Sequence, residues 1–114
     1  MKSRYFVWFW MVLILLAAGA AGAVEINIGA LSDMSGATSD VGKDYALGIA
    51  EAVNYVNDTG GINGKTIKLF QFDYGYRIPE VLTRYHLFKQ KKCVAILGWG
   101  PGDTEALAST VAKD

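Results

Sequence analysis

Strand-like and helix-like stretches alternate along residues 25–114, and that order leaves few folds open. EINIGAL (25–31) alternates and is β-branched early, which predicts a strand over Ile26–Leu31. KDYALGIAEAVNYVN follows, with Tyr45, Ile49, Ala52, Val53 and Val56 three and four residues apart or adjacent, one apolar stripe of a helix. TIKLFQFDY (66–74) returns to alternation with apolar residues on both sides, a strand covered on both faces. Val81, Tyr85 and Phe88 mark a second helix. Pro79 fits its first turn, where a missing N–H costs nothing, and KQKK (89–92) places cations at its negative end. VAILG (94–98) is short and wholly apolar, as in the middle of a parallel sheet, and TEALASTVAKD reads as a third helix. The expected class is α/β, β-α-β-α-β-α, a parallel sheet with helices on both faces.

The connections fit this order. SDMSGATSDVG (32–42) is polar and aperiodic, a loop, with Asp44 expected near the positive start of the first helix. DTGGINGK (58–65) ends that helix, since Gly60 or Gly61 can take the left-handed cap conformation and Asn63-Gly64 is a tight-turn pair.

Residues 1–23 have a different character. Lys2 and Arg4 precede the apolar run YFVWFWMVLILL, and AAGAAGA follows. Ala21-Gly22-Ala23 fits a signal-peptidase site, so the expectation is a cleaved signal peptide over 1–23 with Val24 as the first mature residue. The competing reading is a membrane anchor, because no charge occurs from Tyr5 to Val24. Ala and Gly drive insertion weakly, which favours cleavage, and no Cys stands at the cleavage point to carry a lipid. Without Lys2 and Arg4 the chain has 9 basic against 11 acidic residues, a net charge of −2. That balance argues against a nucleic-acid partner. Cys93 is the only cysteine, which excludes an intrachain disulfide, and it reads as a buried, inert thiol.

Ligands of such sheets bind outside the carboxyl ends of the strands. The loops Ser32–Gly42, Tyr74–Ile78 and Gly98–Asp103 leave those ends and should share one edge. In GWGPGDTEAL (98–107), Gly100 and Gly102 let the backbone come close to a ligand, so that N–H groups can face a carboxylate. Thr104 adds a hydroxyl, and Trp99 offers an apolar wall or packs on a neighbour. Asp103 or Thr104 caps the third helix. Tyr74 and Tyr76, at the second strand end, either line the cleft or pack. Ser35 of the first loop is a further candidate contact; like Ser32 and Ser39 it has no His partner for nucleophilic chemistry. Asp33, Asp40 and Asp44 are accounted for by loop solvation and capping. The spacing is neither that of a P-loop nor of a dinucleotide fingerprint, so nucleotide binding is excluded. His86 falls mid-helix away from this edge, and no metal-ligand spacing occurs. No enzyme activity, cofactor or metal is expected.

The quoted residues resemble a known family. IGALSDMSG, GIAEAVNYVNDTGGINGKTIKL, the strand end FDY and CVAILGWGPGDTEALA are similar to the substrate-binding proteins of branched-chain amino acid-type ABC transporters, the type I periplasmic binding proteins. The resemblance implies a fold of two α/β lobes joined by a hinge, of which residues 24–114 supply the start of the first, with the second lobe absent. An open apolar sheet edge and a small core would then make the isolated piece poorly stable and prone to aggregate. It implies that the loop after the third strand holds a ligand carboxylate, here through Trp99, Gly100 and Thr104 with Asp103 beside them. Relatives that bind branched-chain amino acids carry small hydroxyl residues in this loop. GWGPGD departs from that, which points to another amino acid, an amide or an aromatic acid. The implied function is a periplasmic solute-binding component that delivers to an ABC permease. The alternative is a sensor domain of the same fold.

Overall fold

The computed structural model describes residues 24–114; the signal-peptide expectation for 1–23 lies outside them. The elements are β1 (Glu25–Ser32), α1 (Ser39–Asp58), β2 (Thr66–Asp73), α2 (Ile78–Gln90), β3 (Ala95–Leu97) and α3 (Pro101–Val111). The strands form one parallel sheet in the order β2-β1-β3. All three therefore deliver their carboxyl ends to the same edge.

Register assigns the two faces. Gly29 pairs with Phe70 and with Ile96, and Leu31 pairs with Phe72. Leu31, Phe70, Phe72 and Ile96 pack with Val81, Tyr85 and Phe88 of α2 and Leu107 of α3. The next side chain along β2 points the other way: Gln71 donates to the Ala46 carbonyl of α1 at 3.1 Å. Hence α1 covers one face, and α2 with α3 covers the other. The second-helix stripe Val81, Tyr85 and Phe88 is buried as expected, because i, i+4, i+7 spacing puts all three on one side.

The long helix keeps its predicted stripe except for Ala52 and departs from its predicted start. Its buried residues are Gly42 and Ala46, with Ile49, Val53 and Val56 half-buried, whereas Ala52 is exposed. Small residues line the contact because α1 lies close against the β1–α1 loop. A side chain at 42 would collide with the Asp33 carbonyl. The helix consequently begins at Ser39, inside the segment read as loop, with Asp40 rather than Asp44 in its first turn. Its end is as expected: Gly60 and Gly61 have positive φ, as do Asn63 and Gly64 in the turn into β2.

At the far side of the sheet, β3 pairs with β1 alone. Its apolar residues suit a central strand, yet Val94 is 75% exposed and Leu97 41%. A groove of about 650 Å³ runs between β3 and α3, lined by Phe88, Cys93, Ile96, Leu107 and Val111 among others. Cys93 is free and half-buried, and burial pushes its thiol pKa up, away from reactivity.

Candidate functional site

Each strand exit carries an aspartate that gathers the backbone of its own loop or the neighbouring one. Asp33 follows β1 and is completely buried. Its carboxylate accepts the N–H groups of Gly36 and Thr38, and the Thr38 hydroxyl at 2.7 Å. Burial pushes the Asp33 pKa up, but the Thr38 and Gly36 hydrogen bonds outweigh it and hold the carboxyl below its ordinary value of 3.8. The expectation that solvation explains Asp33 is corrected here. Asp73 ends β2 and accepts Met34 N–H at 2.9 Å from the first loop and Gly75 N–H at 3.0 Å from the second. For Asp73 too, burial raises the pKa and hydrogen bonds, the Ser35 hydroxyl first, bring it below 3.8.

Asp103 does the same after β3. It is completely buried. Its carboxylate accepts Trp99 N–H at 2.9 Å, Gly100 N–H at 2.7 Å and the Tyr74 hydroxyl at 3.1 Å. Asp103 is the third residue of α3 and reaches back to Gly100 before it, so the helix opens at Pro101, three residues earlier than predicted. Tyr74 is also completely buried. Its burial first, and the Asp103 charge second, push its phenol pKa well above the usual tyrosine value. Asp103 and Tyr74 are thus joined inside the rim, and neither presents its side chain at the surface. Of the loop N–H groups expected to face a ligand carboxylate, those of Trp99 and Gly100 are occupied by the protein's own.

The other candidates stand at the surface or near it. Trp99 is half-buried; its indole N–H donates to the Thr38 hydroxyl at 2.9 Å. Its ring lies 5.0 Å from the Tyr45 ring, and the Tyr45 hydroxyl donates to the Gly98 carbonyl at 2.7 Å. Trp99 therefore clamps the third loop onto the first. A side chain at Gly100 would crowd Tyr76, because a Cβ there would lie 3.1 Å from its hydroxyl oxygen. Tyr76 reaches this place from a left-handed backbone, φ 55°, a conformation that costs a non-glycine residue about 1–2 kcal/mol. Thr104 is exposed and donates its hydroxyl to the Gly100 carbonyl at 2.9 Å. Ser35 is exposed beside Asp73 and Gly75. Trp99, Gly100, Thr104, Ser35 and Tyr76 thus gather on one edge.

Thr38, Tyr45 and Asp73 were not among the residues singled out. Tyr45 reads as a core position from its spacing, and only its partners reveal the clamp. The Asp33…Gly36…Thr38 spacing is a side-chain turn pattern that could have marked the buried carboxylate. Among the described residues, no group of three or more His, Cys, Asp or Glu side chains could hold a metal ion. His86 is exposed on α2.

A parallel sheet whose three carboxyl ends feed loops tied into one rim matches a lobe of the type I periplasmic binding fold. The chain belongs to the periplasmic binding protein family, whose model matches residues 25–114. It is similar to an ABC transporter substrate-binding protein of Aeropyrum pernix, at 37% identity and a TM-score of 0.74, over 80% of this chain and 25% of that one. It is similar to the branched-chain amino acid transporter substrate-binding protein LivJ of Streptococcus pneumoniae, solved with isoleucine, at 30% identity and a TM-score of 0.69, over 78% of this chain and 26% of that one. An amino acid binding protein of Pseudomonas aeruginosa is 32% identical over 75 residues, 65% of this chain and 20% of that protein. The chain thus spans a fifth to a quarter of the length of these relatives.

Proposed function

We propose that the chain supplies part of the first lobe of an extracytoplasmic solute-binding component of an ABC uptake system. Residues 1–23 act as its export signal and 24–114 as lobe structure. It takes a small organic solute of the amino acid, amide or aromatic acid class, closes over it with a second lobe and hands it to a membrane permease. Closure is a shift between open and closed populations with no bond chemistry. The observation that carries this reading is the rim itself. Loops from three strands are fastened together by Asp33, Asp73, Asp103 and the Trp99 clamp, in a chain of this family. Such fastening preorganises a binding edge and lowers the entropy lost when solute arrives.

Trp99, Thr104, Ser35 and the Gly100 backbone form the contact surface in this reading, and Asp103 and Tyr74 hold it from behind. A thermal-shift screen of amino acids, amides and aromatic acids on the full-length protein tests it. A solute at 100 times its dissociation constant stabilises by about 2.7 kcal/mol. Thr104→Ala should weaken the response to that solute class. No shift with any member of the three classes overturns the reading.

A further inference from the structure

We infer that Tyr76 is a solute-binding residue of this rim, its hydroxyl hydrogen-bonding the bound solute and its ring forming a wall of the contact surface beside Gly100. The inference rests on the solute-binding reading and adds a residue to it.

The backbone singles Tyr76 out. Three non-glycine residues among those described have a left-handed φ: Asn63, Tyr76 and Lys92. Asn63 is of a type that tolerates this region, and it stands in the tight turn into β2. Lys92 ends α2: its N–H donates to the Lys89 carbonyl and that of Cys93 to the Phe88 carbonyl, the closing pattern of a helix. Neither reason applies to Tyr76. It takes the second central position of a turn in which Arg77 N–H donates to the Tyr74 carbonyl at 3.0 Å, with φ of 57° at Gly75 and 55° at Tyr76. Turns with two positive φ values favour glycine, asparagine or aspartate there. A bulky residue in that place is an outlier, and strain of this kind gathers at ligand sites.

The side chain is placed for contact. Of the other tyrosines in 24–114, Tyr45, Tyr74 and Tyr85 donate their hydroxyls to Gly98, Asp103 and Asp114, and Tyr55 is 71% exposed on α1. Tyr76 is half-buried at the rim. Its hydroxyl has no partner among the described residues, and the buried polar side-chain atoms left unpaired there belong to Asn27 and Arg84. The Tyr76 hydroxyl is therefore open to solvent, with its proton and its lone pairs both free. The ring beneath it is held. It lies 5.9 Å from the Tyr74 ring and against Gly100, where a Cβ would come within 3.1 Å of the hydroxyl oxygen and 3.2 Å of a ring carbon. A fixed aromatic body with a free polar tip gives contact area and a hydrogen bond at little cost in lost motion.

The test is calorimetric titration of the full-length protein with leucine, glutamine, benzamide and benzoate, which together cover the three solute classes. Tyr76→Phe and Tyr76→Gly are then titrated with a probe that binds. Tyr76→Phe keeps the ring and should melt as the wild type does, with affinity about fivefold weaker for the loss of one hydrogen bond. Tyr76→Gly relieves the backbone and removes the ring. It should melt within about 4 °C of the wild type and bind more weakly than Tyr76→Phe. Unchanged affinity in Tyr76→Phe overturns the inference while the solute-binding reading stands. A larger fall in the melting temperature of Tyr76→Gly, with affinity no weaker than that of Tyr76→Phe, is the mark of a ring that only packs and overturns it too. Should Tyr76→Gly not fold, Tyr76→Phe decides alone. A wild type that binds no member of the three classes overturns both the reading and the inference.

Discussion

At the strand-end rim, Asp33, Asp103 and Tyr74 are polar and completely buried; beside and within β3 and at the end of α3, Val94, Leu97 and Val111 are apolar and exposed. Each region inverts the usual rule of burial, for opposite reasons. The rim buries polar groups because each has partners: the three carboxylates hold the loops, and the loops satisfy the carboxylates. The β3 flank exposes apolar groups because nothing among the described residues packs on them. Loop geometry is therefore fixed where hydrogen bonds close on themselves, while the β3 flank leaves apolar surface uncovered.

The first way to break this comparison is to empty the packing beneath the flank. Phe88 is buried beneath Gly29 and 5.5 Å ring to ring from Phe72. Phe88→Ala should cost about 3–5 kcal/mol in denaturant unfolding. Next is the rim. Asp103→Ala leaves two N–H groups and the Tyr74 hydroxyl without their acceptor and should cost about 3 kcal/mol. If Asp103→Ala proves neutral, the rim is not held by its carboxylate.

Acid should act on the rim and spare the flank. The folded pKa values of Asp33 and Asp73 lie below the ordinary 3.8. Their contribution is thus fully present above that value and is lost as pH falls through the lower folded values. Melting temperature followed downward from pH 6 should drop most steeply below about pH 4, and Asp33→Asn should flatten the drop.

The smallest effects sharpen the contrast. Trp99→Phe keeps the stack on Tyr45 and loses the bond to Thr38, a cost of about 1 kcal/mol. Trp99 is the only tryptophan in 24–114, so its fluorescence should report solute binding in a protein cleaved after Ala23. Val94→Lys should change stability by less than about 0.5 kcal/mol, because the side chain it replaces is exposed. It should also reduce self-association in light scattering.

Element order, strand faces and helix stripes were legible because they repeat locally. Val81, Tyr85 and Phe88 show their common face without knowledge of any partner, and the alternation in TIKLFQFD shows two covered faces in the same way. Helix starts were harder. Ser39 and Pro101 open α1 and α3 earlier than the apolar spacing suggests, since a start is set by which group accepts the first N–H bonds. The sequence placed Trp99, Gly100, Thr104 and Ser35 at the strand-end edge, where the structure also puts them. It also placed Tyr74 and Asp103 there, but could not distinguish a side chain facing a solute from one holding the loop behind it.

The sequence by itself determined the α/β class, the parallel order of strands and helices, and which loops leave the carboxyl ends. Each of these follows from residues within a few positions of one another. Only the tertiary structure decided that Asp103 meets Tyr74, that Trp99 donates to Thr38, and that the rim's aspartates are internal ligands of its own loops. Those partners are 29, 61 and 39 residues apart, and a hydrogen bond is chosen by which groups folding brings within about 3 Å, a distance that no local pattern encodes.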